Sequence, residues 1–271
     1  MAVTRRGYIF CAFLVSVLSV LLILVAVASD SWVVSTATVE GQQTQYNSIQ
    51  YGLFRGYLVL RIFLTPTSNT LYMTCVPSLG ACALSCKTEE EARRIEVEAM
   101  ANGYRPSPTC VSVTDVNVAN PMPVPPVISF AFYLSMLLIL FLQLIFAVIA
   151  AALAITNSTR NPTEPIFGLP GCLWVNVVTA LLGTTALLLF GIYWATSGLN
   201  EHLALSYIAQ NVLIPDPGPG LGYSYWVLIF SILCNLGNVG LIQLRAYLLE
   251  RDPPPPTIKV ENHSDGTIFL Y

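Results

Sequence analysis

The sequence predicts a membrane all-α fold, a four-helix transmembrane bundle with a small extracellular β-sheet plus a helix in the first outer loop. Three observations support this fold class. Asp, Glu, Lys and Arg make up only 10% of the 271 residues, against roughly 25% in an ordinary soluble domain. Four long apolar stretches contain none of them. The segment after the first stretch is rich in β-branched and aromatic residues, which favour strands.

Each uncharged stretch is long enough to cross a membrane. A span needs about 20 consecutive apolar residues, and we place the spans at residues 8–29, 127–155, 172–195 and 223–244. The second span is longer than a hydrocarbon core of about 30 Å requires at about 1.5 Å per residue. We therefore expect it to tilt or to extend beyond the membrane.

The positive charges near the span ends predict the orientation. Lys and Arg favour the cytosolic side. They occur before span one, between spans two and three, and after span four, whereas residues 196–222 contain neither. Residues 1–7, 156–171 and 245–271 should therefore be cytosolic. Residues 30–126 and 196–222 are then the first and second extracellular loops of a multi-pass plasma-membrane protein.

The first span has an alternative interpretation as a cleaved signal peptide. Arg5 and Arg6 precede it, and Ala26-Val27-Ala28 resembles a small-residue cleavage site. The core of a signal peptide usually has about 7–15 apolar residues, whereas this run is longer. We therefore expect an uncleaved span.

Two glycosylation sequons test this orientation. They begin at Asn157 and Asn262, and both fall on the predicted cytosolic side, where glycans are not added. We expect neither to be used.

Four of the seven cysteines fall in the first extracellular loop. They are Cys75, Cys82, Cys86 and Cys110. An even set in an oxidising compartment predicts two disulfides, and the sequence leaves all three pairings open. A metal site is the alternative, but the loop contains no His, so we expect no metal.

The first extracellular loop has the composition of a folded unit. Residues 32–39 and 57–64, and more weakly 71–76, are rich in β-branched and aromatic side chains and predict strands. Gly52 and Gly56 between the first two strands indicate a bulge or a tight bend.

Residues 88–102 predict a helix within the same loop. Thr88 and Glu91 form a capping box at its start, and Gly103 is placed to end it. One apolar stripe at helical spacing contains Ala92, Ile95 and Ala99.

The predicted spans contain no Asp, Glu, Lys, Arg or His. Proton relays, voltage sensors and most coupled transporters need ionisable groups at that depth, so these functions are disfavoured. Small and amide side chains instead recur in spans three and four, where they favour helix packing. The residues assigned to this role are Asn176, Gly183, Asn235 and Asn238. The alternative role is to line a site for a small polar ligand.

The sequence has no pattern typical of a catalytic, cofactor-binding or metal-binding site. His202 and His263 fall on opposite sides of the predicted membrane, and no phosphate-binding glycine loop or nucleophile motif occurs. A net charge of −3 leaves no basic patch for phosphates. We therefore predict a protein that is not an enzyme, uses no cofactor and binds no nucleic acid.

The tail ends in an apolar segment formed by Phe269, Leu270 and Tyr271. Alternate aromatic residues next to a terminal carboxylate suit strand addition to the groove of a PDZ-type scaffold. We predict such a scaffold as a partner, and contact with the membrane surface is the alternative.

Short motifs in the first extracellular loop and in span four resemble those of a known family. Trp32 directly follows span one, Tyr225 and Trp226 open span four, and Asn238 lies inside it. The pattern YGLF-x-G occurs once in the first extracellular loop, as Tyr51, Gly52, Leu53, Phe54 and Gly56. With the four spans and the large first loop, these motifs resemble the clarin family of the claudin-like four-span superfamily.

The chain also departs from the claudins. Phe54 stands where claudins carry a Trp, and the first cysteine of the loop comes only at Cys75. The resemblance therefore does not imply a claudin-type paracellular seal.

The clarin resemblance implies a membrane organiser or auxiliary subunit in sensory or synaptic membranes. The first extracellular loop would contact other membrane proteins, the tail would contact a cytosolic scaffold, and the spans would contact membrane lipid. One alternative is a claudin-like cell–cell contact protein. A channel or transporter is a further alternative, which the uncharged spans disfavour.

Overall fold

The computed structural model describes eight segments, residues 2–39, 42–60, 66–104, 110, 124–159, 166–198, 213–215 and 219–251. Within them the predicted fold class is confirmed. Four long apolar helices pack as a bundle, and a curled antiparallel sheet with a short helix lies between the first and second of them.

The four long helices form a square bundle, with one helix at each corner. The helices in chain order are α1 (Ala2–Ala28), α2 (Glu90–Ala101), α3 (Phe130–Thr159), α4 (Leu169–Thr196) and α5 (Tyr223–Arg251). All of them except the short helix α2 belong to the bundle. α1 and α4 sit at opposite corners, and each contacts both α3 and α5. The long helices α1, α3, α4 and α5 each have the length and apolarity to cross a membrane. α1 thus packs within the bundle as one of its four long helices.

The helices differ from the predicted spans mainly at their ends. α3 begins at Phe130 and not at residue 127, because Ile128–Ser129 pairs with a strand of the sheet. α3 also continues to Thr159, and α5 continues to Arg251, shortly before the proline run that starts at Pro253. Apolarity ends at the membrane surface, whereas a helix continues until a residue such as proline stops it.

The described strands form one antiparallel sheet. They are β1 (Val33–Val39), β2 (Gln42–Tyr51), β3 (Arg55–Leu60), β4 (Thr67–Val76), β5 (Ala81–Ser85), β6 (Ile128–Ser129), β7 (Leu213–Pro215) and β8 (Gly220–Leu221). The order is β6-β5-β4-β3-β2-β1-β7, with β8 also paired to β1. β7 and β8 come from the connection between α4 and α5. Both large connections therefore meet at one end of the bundle, which we call the sheet end.

The sequence predicts β1, β3 and β4 but not β2 and β5. β2 is rich in Gln, Asn and Ser, and β5 consists mainly of small residues, so neither has the composition of a strand. Both are held by hairpin pairing to their neighbours, with Tyr51 opposite Gly56 and Cys75 opposite Cys82. Residues 61–64 at the end of the predicted strand 57–64 lie outside the described residues.

α2 confirms the predicted helix but corrects its details. The capping box is wrong, because Glu89 is the N-cap and its side chain makes no capping hydrogen bond. The stripe is wrong at Ile95, which is 44% exposed, whereas Ala92 is buried as predicted. α2 packs on β4 and β5, and its buried side chains are Ala92, Glu96, Val97 and Met100. Gly103 has a φ of 85°, which favours glycine at the helix end.

The sheet and the bundle share one hydrophobic core. Ile49, Leu58 and Leu71 of the sheet are fully buried and belong to the same cluster as Leu140 of α3 and Leu228 of α5. Removing apolar surface from water contributes about 25 cal/mol per Å². This shared core therefore stabilises the packing of the sheet on the end of the bundle.

Aromatic side chains lie at two levels along the bundle, near both ends of α4 and α5. Trp174 near the start of α4 is 66% exposed, and Trp226 near the start of α5 is 52% exposed. From Trp174 to Trp194, and from Trp226 to Tyr247, each helix rises about 30 Å. That rise matches the thickness of the hydrocarbon core, and Trp and Tyr are enriched at its two surfaces. These positions predict that one membrane surface lies at the level of Trp194 and Trp226, next to the sheet.

Candidate functional site

The YGLF-x-G motif forms the turn from β2 to β3 and lies against the bundle. Gly52 donates its N–H to the carbonyl of Arg55 at 2.7 Å. A Cβ on Gly52 would lie 2.0 Å from the carbonyl oxygen of Ser29, so only glycine allows this approach to the end of α1. The carbonyl of Leu53 accepts a hydrogen bond from the Tyr133 hydroxyl at 2.9 Å. The motif therefore fixes the sheet to α1 and α3.

The last glycine of the motif is also required by close packing. A Cβ on Gly56 would lie 2.5 Å from the carbonyl oxygen of Gln50 and from the Cβ of Tyr51. Tyr51 is buried beneath the sheet, whereas Phe54 is exposed at the turn. The motif thus has a structural role at four positions and offers one free aromatic ring.

Trp32 joins the sheet to three helices. Its indole N–H donates to the carbonyl of Ala26 in α1 at 2.6 Å. Its ring packs edge-on against Phe190 of α4 and Tyr225 of α5, with centroid distances of 4.9 and 6.3 Å. Its backbone N–H donates to the carbonyl of Tyr51 at 2.9 Å.

The four loop cysteines form two disulfides, Cys75–Cys82 and Cys86–Cys110. The first joins facing residues of β4 and β5. The second has a sequence separation of 24 residues, and the loop that it closes contains α2. The structure thus decides a pairing that the sequence leaves open.

A buried polar layer joins α1, α4 and α5 inside the bundle. The amide of Asn238 donates to the Ser16 hydroxyl at 2.8 Å and to the side-chain carbonyl of Asn176 at 3.1 Å. The amide of Asn235 donates to the Ser19 hydroxyl at 2.9 Å. The sequence assigns the asparagines to helix packing but gives no sign of Ser16 and Ser19, because a lone hydroxyl in an apolar run has no distinctive pattern.

Gly183 faces a glutamine on the neighbouring helix. A Cβ on Gly183 would lie 2.6 Å from Nε2 of Gln143 and 2.9 Å from Cγ1 of Ile232. The Gln143 side chain is fully buried, and its amide has no hydrogen-bond partner among the described residues. Because Gly183 has no side chain, the amide of Gln143 fits between α3 and α4.

An apolar crevice lies where the sheet meets α3 and α4. The empty space between its walls is about 480 Å³ when the open solvent at its mouth is included, but the enclosed part has room for only about one water molecule. Tyr51 and Leu53 line it on the sheet side, Met136 lines it on α3, and Phe190 and Trp194 line it on α4. No charged residue lines it. The sequence does not predict this crevice, since its walls come from four separate segments of the chain.

The exposed face of the sheet carries a cluster that we call the outer-face patch, consisting of Arg55, Tyr57 and Tyr72. Arg55 stands directly opposite Tyr72 in the β3–β4 pair, and Tyr57 follows on the same face. Tyr57 is 38% exposed and Tyr72 is 36% exposed. The guanidinium of Arg93 from α2 lies 5.1 Å from the centre of the Tyr72 ring.

Other candidate residues take no part in these sites. Phe269, Leu270, Tyr271 and the sequon at Asn262 lie outside the described residues. The amide of Asn157 is buried and donates to the carbonyls of Leu153 and Phe167 at 2.8 and 2.7 Å. Within the described segments, no group of three or more His, Cys, Asp or Glu residues could hold a metal ion.

No protein-family model and no curated protein matches the chain. The architecture itself, four membrane-length helices with a sheet between the first two, is consistent with a claudin-like four-span protein.

Proposed function

We propose that the protein is a clarin-like organiser or auxiliary subunit of plasma-membrane complexes, and that it is not an enzyme. It binds other membrane proteins through the outer-face patch and a cytosolic scaffold through its tail. The observation that carries the proposal is the pair of exposed tyrosines beside Arg55 on a sheet that packs on the bundle through a shared core.

The chemistry of the outer-face patch supports a protein partner. Tyr and Arg are enriched at the cores of protein interfaces, where they dominate the binding energy. Tyr57 and Tyr72 present large surfaces with few rotatable bonds, so little conformational entropy is lost on binding. Because Ile49, Leu58 and Leu71 anchor the other face of the sheet in the core, the patch is held in a fixed orientation.

The interior of the bundle favours this function over transport. Its polar layer consists of hydroxyl and amide groups, and the hydrogen bonds of Asn235 and Asn238 join one helix to another. Such bonds contribute about 0.6–2 kcal/mol each to helix association in lipid. The layer therefore stabilises the bundle and leaves the sheet as the surface for partners.

The two disulfides support an extracellular position for the sheet. Disulfides persist in oxidising compartments and are rare in the cytosol. With the sheet outside, both termini are cytosolic, and the segment Phe269–Tyr271 can add a strand to a PDZ-type groove. The clarin resemblance of the YGLF-x-G turn makes sensory or synaptic membranes the first place to look for partners.

The test is cross-linking followed by affinity purification from native cells. Four forms are compared: the full chain, a Tyr57→Ser/Tyr72→Ser variant, a chain lacking residues 269–271, and a Leu79→Ser control. Leu79 is exposed but lies in the turn after β4. We expect membrane partners to be lost only with the double tyrosine variant and the scaffold to be lost only with the truncation.

The same experiment can contradict the proposal. If the membrane partners of the double tyrosine variant equal those of the Leu79→Ser control, the patch is not the binding surface. If only self-associated protein is recovered from cell contacts, and only when both cells express the chain, a claudin-like contact function replaces the proposal.

A further inference from the structure

Arg55 is the only charged residue in the five described strands β1 to β5. It begins the central strand β3, and its side chain is exposed on the face of the sheet that points away from the core. Arg55 makes no salt bridge with any described residue, whereas Arg94 of α2 pairs with Glu98 at 3.6 Å. Arg55 is therefore a single cation on an otherwise uncharged face.

The side chains around Arg55 are aromatic or cationic. Tyr72 stands directly opposite Arg55, which places the two Cβ atoms about 4.5–5.5 Å apart, and Tyr57 follows on the same face about 7 Å along the strand. The guanidinium of Arg93 lies 5.1 Å from the centre of the Tyr72 ring. Two backbone carbonyls just before α2 hold it there, at 3.3 and 2.8 Å from Nη1. The outer-face patch and the adjoining Arg93 thus offer hydrogen-bond donors from two guanidinium groups and two phenol hydroxyls.

A partner that covers the outer-face patch removes Arg55 from water. A guanidinium does not lose its proton in proteins, so Arg55 stays charged when it is covered. A buried charge is costly unless it is paired and hydrogen-bonded. The strands β1 to β5 contain no Asp or Glu that could move to meet it. The compensating anion must therefore come from the partner.

We propose that the partner of the outer-face patch is an acidic segment of another protein, with an Asp or Glu carboxylate paired to Arg55. The planar fork of a guanidinium binds a carboxylate through two parallel hydrogen bonds. The neighbouring rings of Tyr57 and Tyr72 shield this pair from water. Tyrosine is enriched at the cores of protein interfaces, which favours a protein segment over an acidic glycan. This inference rests on the proposed function, because it names the chemistry of the partner that the patch binds.

The direct test measures the affinity of the purified full-length protein, in phosphatidylcholine nanodiscs, for a defined acidic probe. The probe is a copolymer of glutamate and tyrosine, and a copolymer of lysine and tyrosine supplies the same rings with the opposite charge. We expect the acidic copolymer to bind and the basic copolymer not to bind. Arg55→Gln should weaken binding of the acidic copolymer about tenfold or more, the loss expected for a hydrogen bond between charged groups.

Arg94→Gln is the matched control, because it changes the net charge equally but removes an exposed cation that is already paired with Glu98. Such surface pairs contribute little, so this variant should bind the acidic copolymer within about twofold of the unmodified protein. Equal affinities of Arg55→Gln and Arg94→Gln, or stronger binding of the basic copolymer, would overturn the proposal.

A melting measurement separates a loss of binding from a loss of fold. Because Arg55 is exposed, Arg55→Gln and Arg94→Gln should melt at the same temperature in detergent. A lower melting temperature of Arg55→Gln alone would show that Arg55 already has a partner inside the chain, and the proposal would then be wrong.

Cross-linking in native cells distinguishes a failure of this inference from a failure of the proposed function. We expect Arg55→Gln to lose the same membrane partners as Tyr57→Ser/Tyr72→Ser. If only the tyrosine variant loses them, the patch is the binding surface but needs no acidic partner, and this inference alone fails. If neither variant loses them, the proposed function fails as well. Loss of the partners after sialidase treatment of the cells would place the anion on a glycan and would also overturn this inference.

Discussion

Single side chains hold the sheet and the bundle together, and Trp32 does so most directly. Its indole N–H bonds to α1, and its ring packs against α4 and α5. The sequence predicts a family motif at this position but not its contacts, because the partners lie far away in the chain. Because Trp32 packs against three helices, any change in the volume of its side chain would disturb all of these contacts.

Trp32→Ala should lower the free energy of unfolding by about 3–5 kcal/mol, since it opens a cavity and removes a buried hydrogen bond. Trp226→Ala is the control, because Trp226 is exposed on the lipid-facing side of α5 and its loss should change stability much less. Thermal unfolding in detergent measures both. Equal losses for the two variants would show that Trp32 does not join the sheet to the bundle.

Tyr51 gives a prediction about pH. Burial raises the pKa of its hydroxyl above the usual value of about 10. Below pH 10 the Tyr51 hydroxyl is protonated in both the folded and the unfolded chain, so it does not make the free energy of unfolding depend on pH. Above pH 10 the unfolded chain ionises first, and the free energy of unfolding should fall as pH rises. Tyr51→Phe should unfold at a higher pH than the unmodified protein in a tryptophan-fluorescence titration, and an identical midpoint would contradict this.

At the scale of elements, the helices pack through small and polar residues. The sequence predicts Asn176, Asn235 and Asn238 as packing residues because amides are rare in apolar spans. It does not pair them with Ser16 and Ser19, since the pairing depends on which helices are neighbours. For α2, too, the sequence does not predict the tertiary contacts. Its existence follows from local pattern, but its buried face is set by docking on β4 and β5.

Gly183→Val should destabilise the packing of α4 against α3 and α5. The new side chain would meet Gln143 and Ile232 at less than van der Waals distance, and overpacking costs about 1–3 kcal/mol. Gly237→Val is the matched control, because nothing lies within 4 Å of a Cβ at that position. Melting temperatures in detergent should separate the two variants clearly. If the two melt alike, α4 does not pack closely at Gly183.

At the scale of the whole molecule, the disulfides differ in what they constrain. The Cys86–Cys110 bond closes a longer loop than the Cys75–Cys82 bond, with separations of 24 and 7 residues. The chain-entropy relation assigns them about 3.5 and about 2.4 kcal/mol. Replacing Cys86 and Cys110 by Ser should therefore lower stability more than replacing Cys75 and Cys82. Denaturant titration of the two double variants measures this, and the opposite order would refute the entropic account.

The sidedness of the whole chain can be tested with glycosylation. Pro66→Asn creates a sequon with the exposed Thr67 and Ser68 at the start of β4. We expect a glycan there, because the sheet is predicted to face the lumen during synthesis. Asn157 should remain unmodified and serves as the internal control. A glycan on Asn157 with none at position 66 would show that the chain has the opposite orientation, with the sheet on the cytosolic side.

Local features of the amino-acid sequence were enough to predict the number of spans, their approximate positions, the presence of a folded unit between the first two, and the helix α2. These features follow from apolarity, charge and local pattern within one continuous segment. The strands β2 and β5, the disulfide pairing, the partners of the asparagines and the crevice around Tyr51 became known only from the folded structure. Each of these depends on contacts between distant segments, and a local pattern contains no information about which segments will meet.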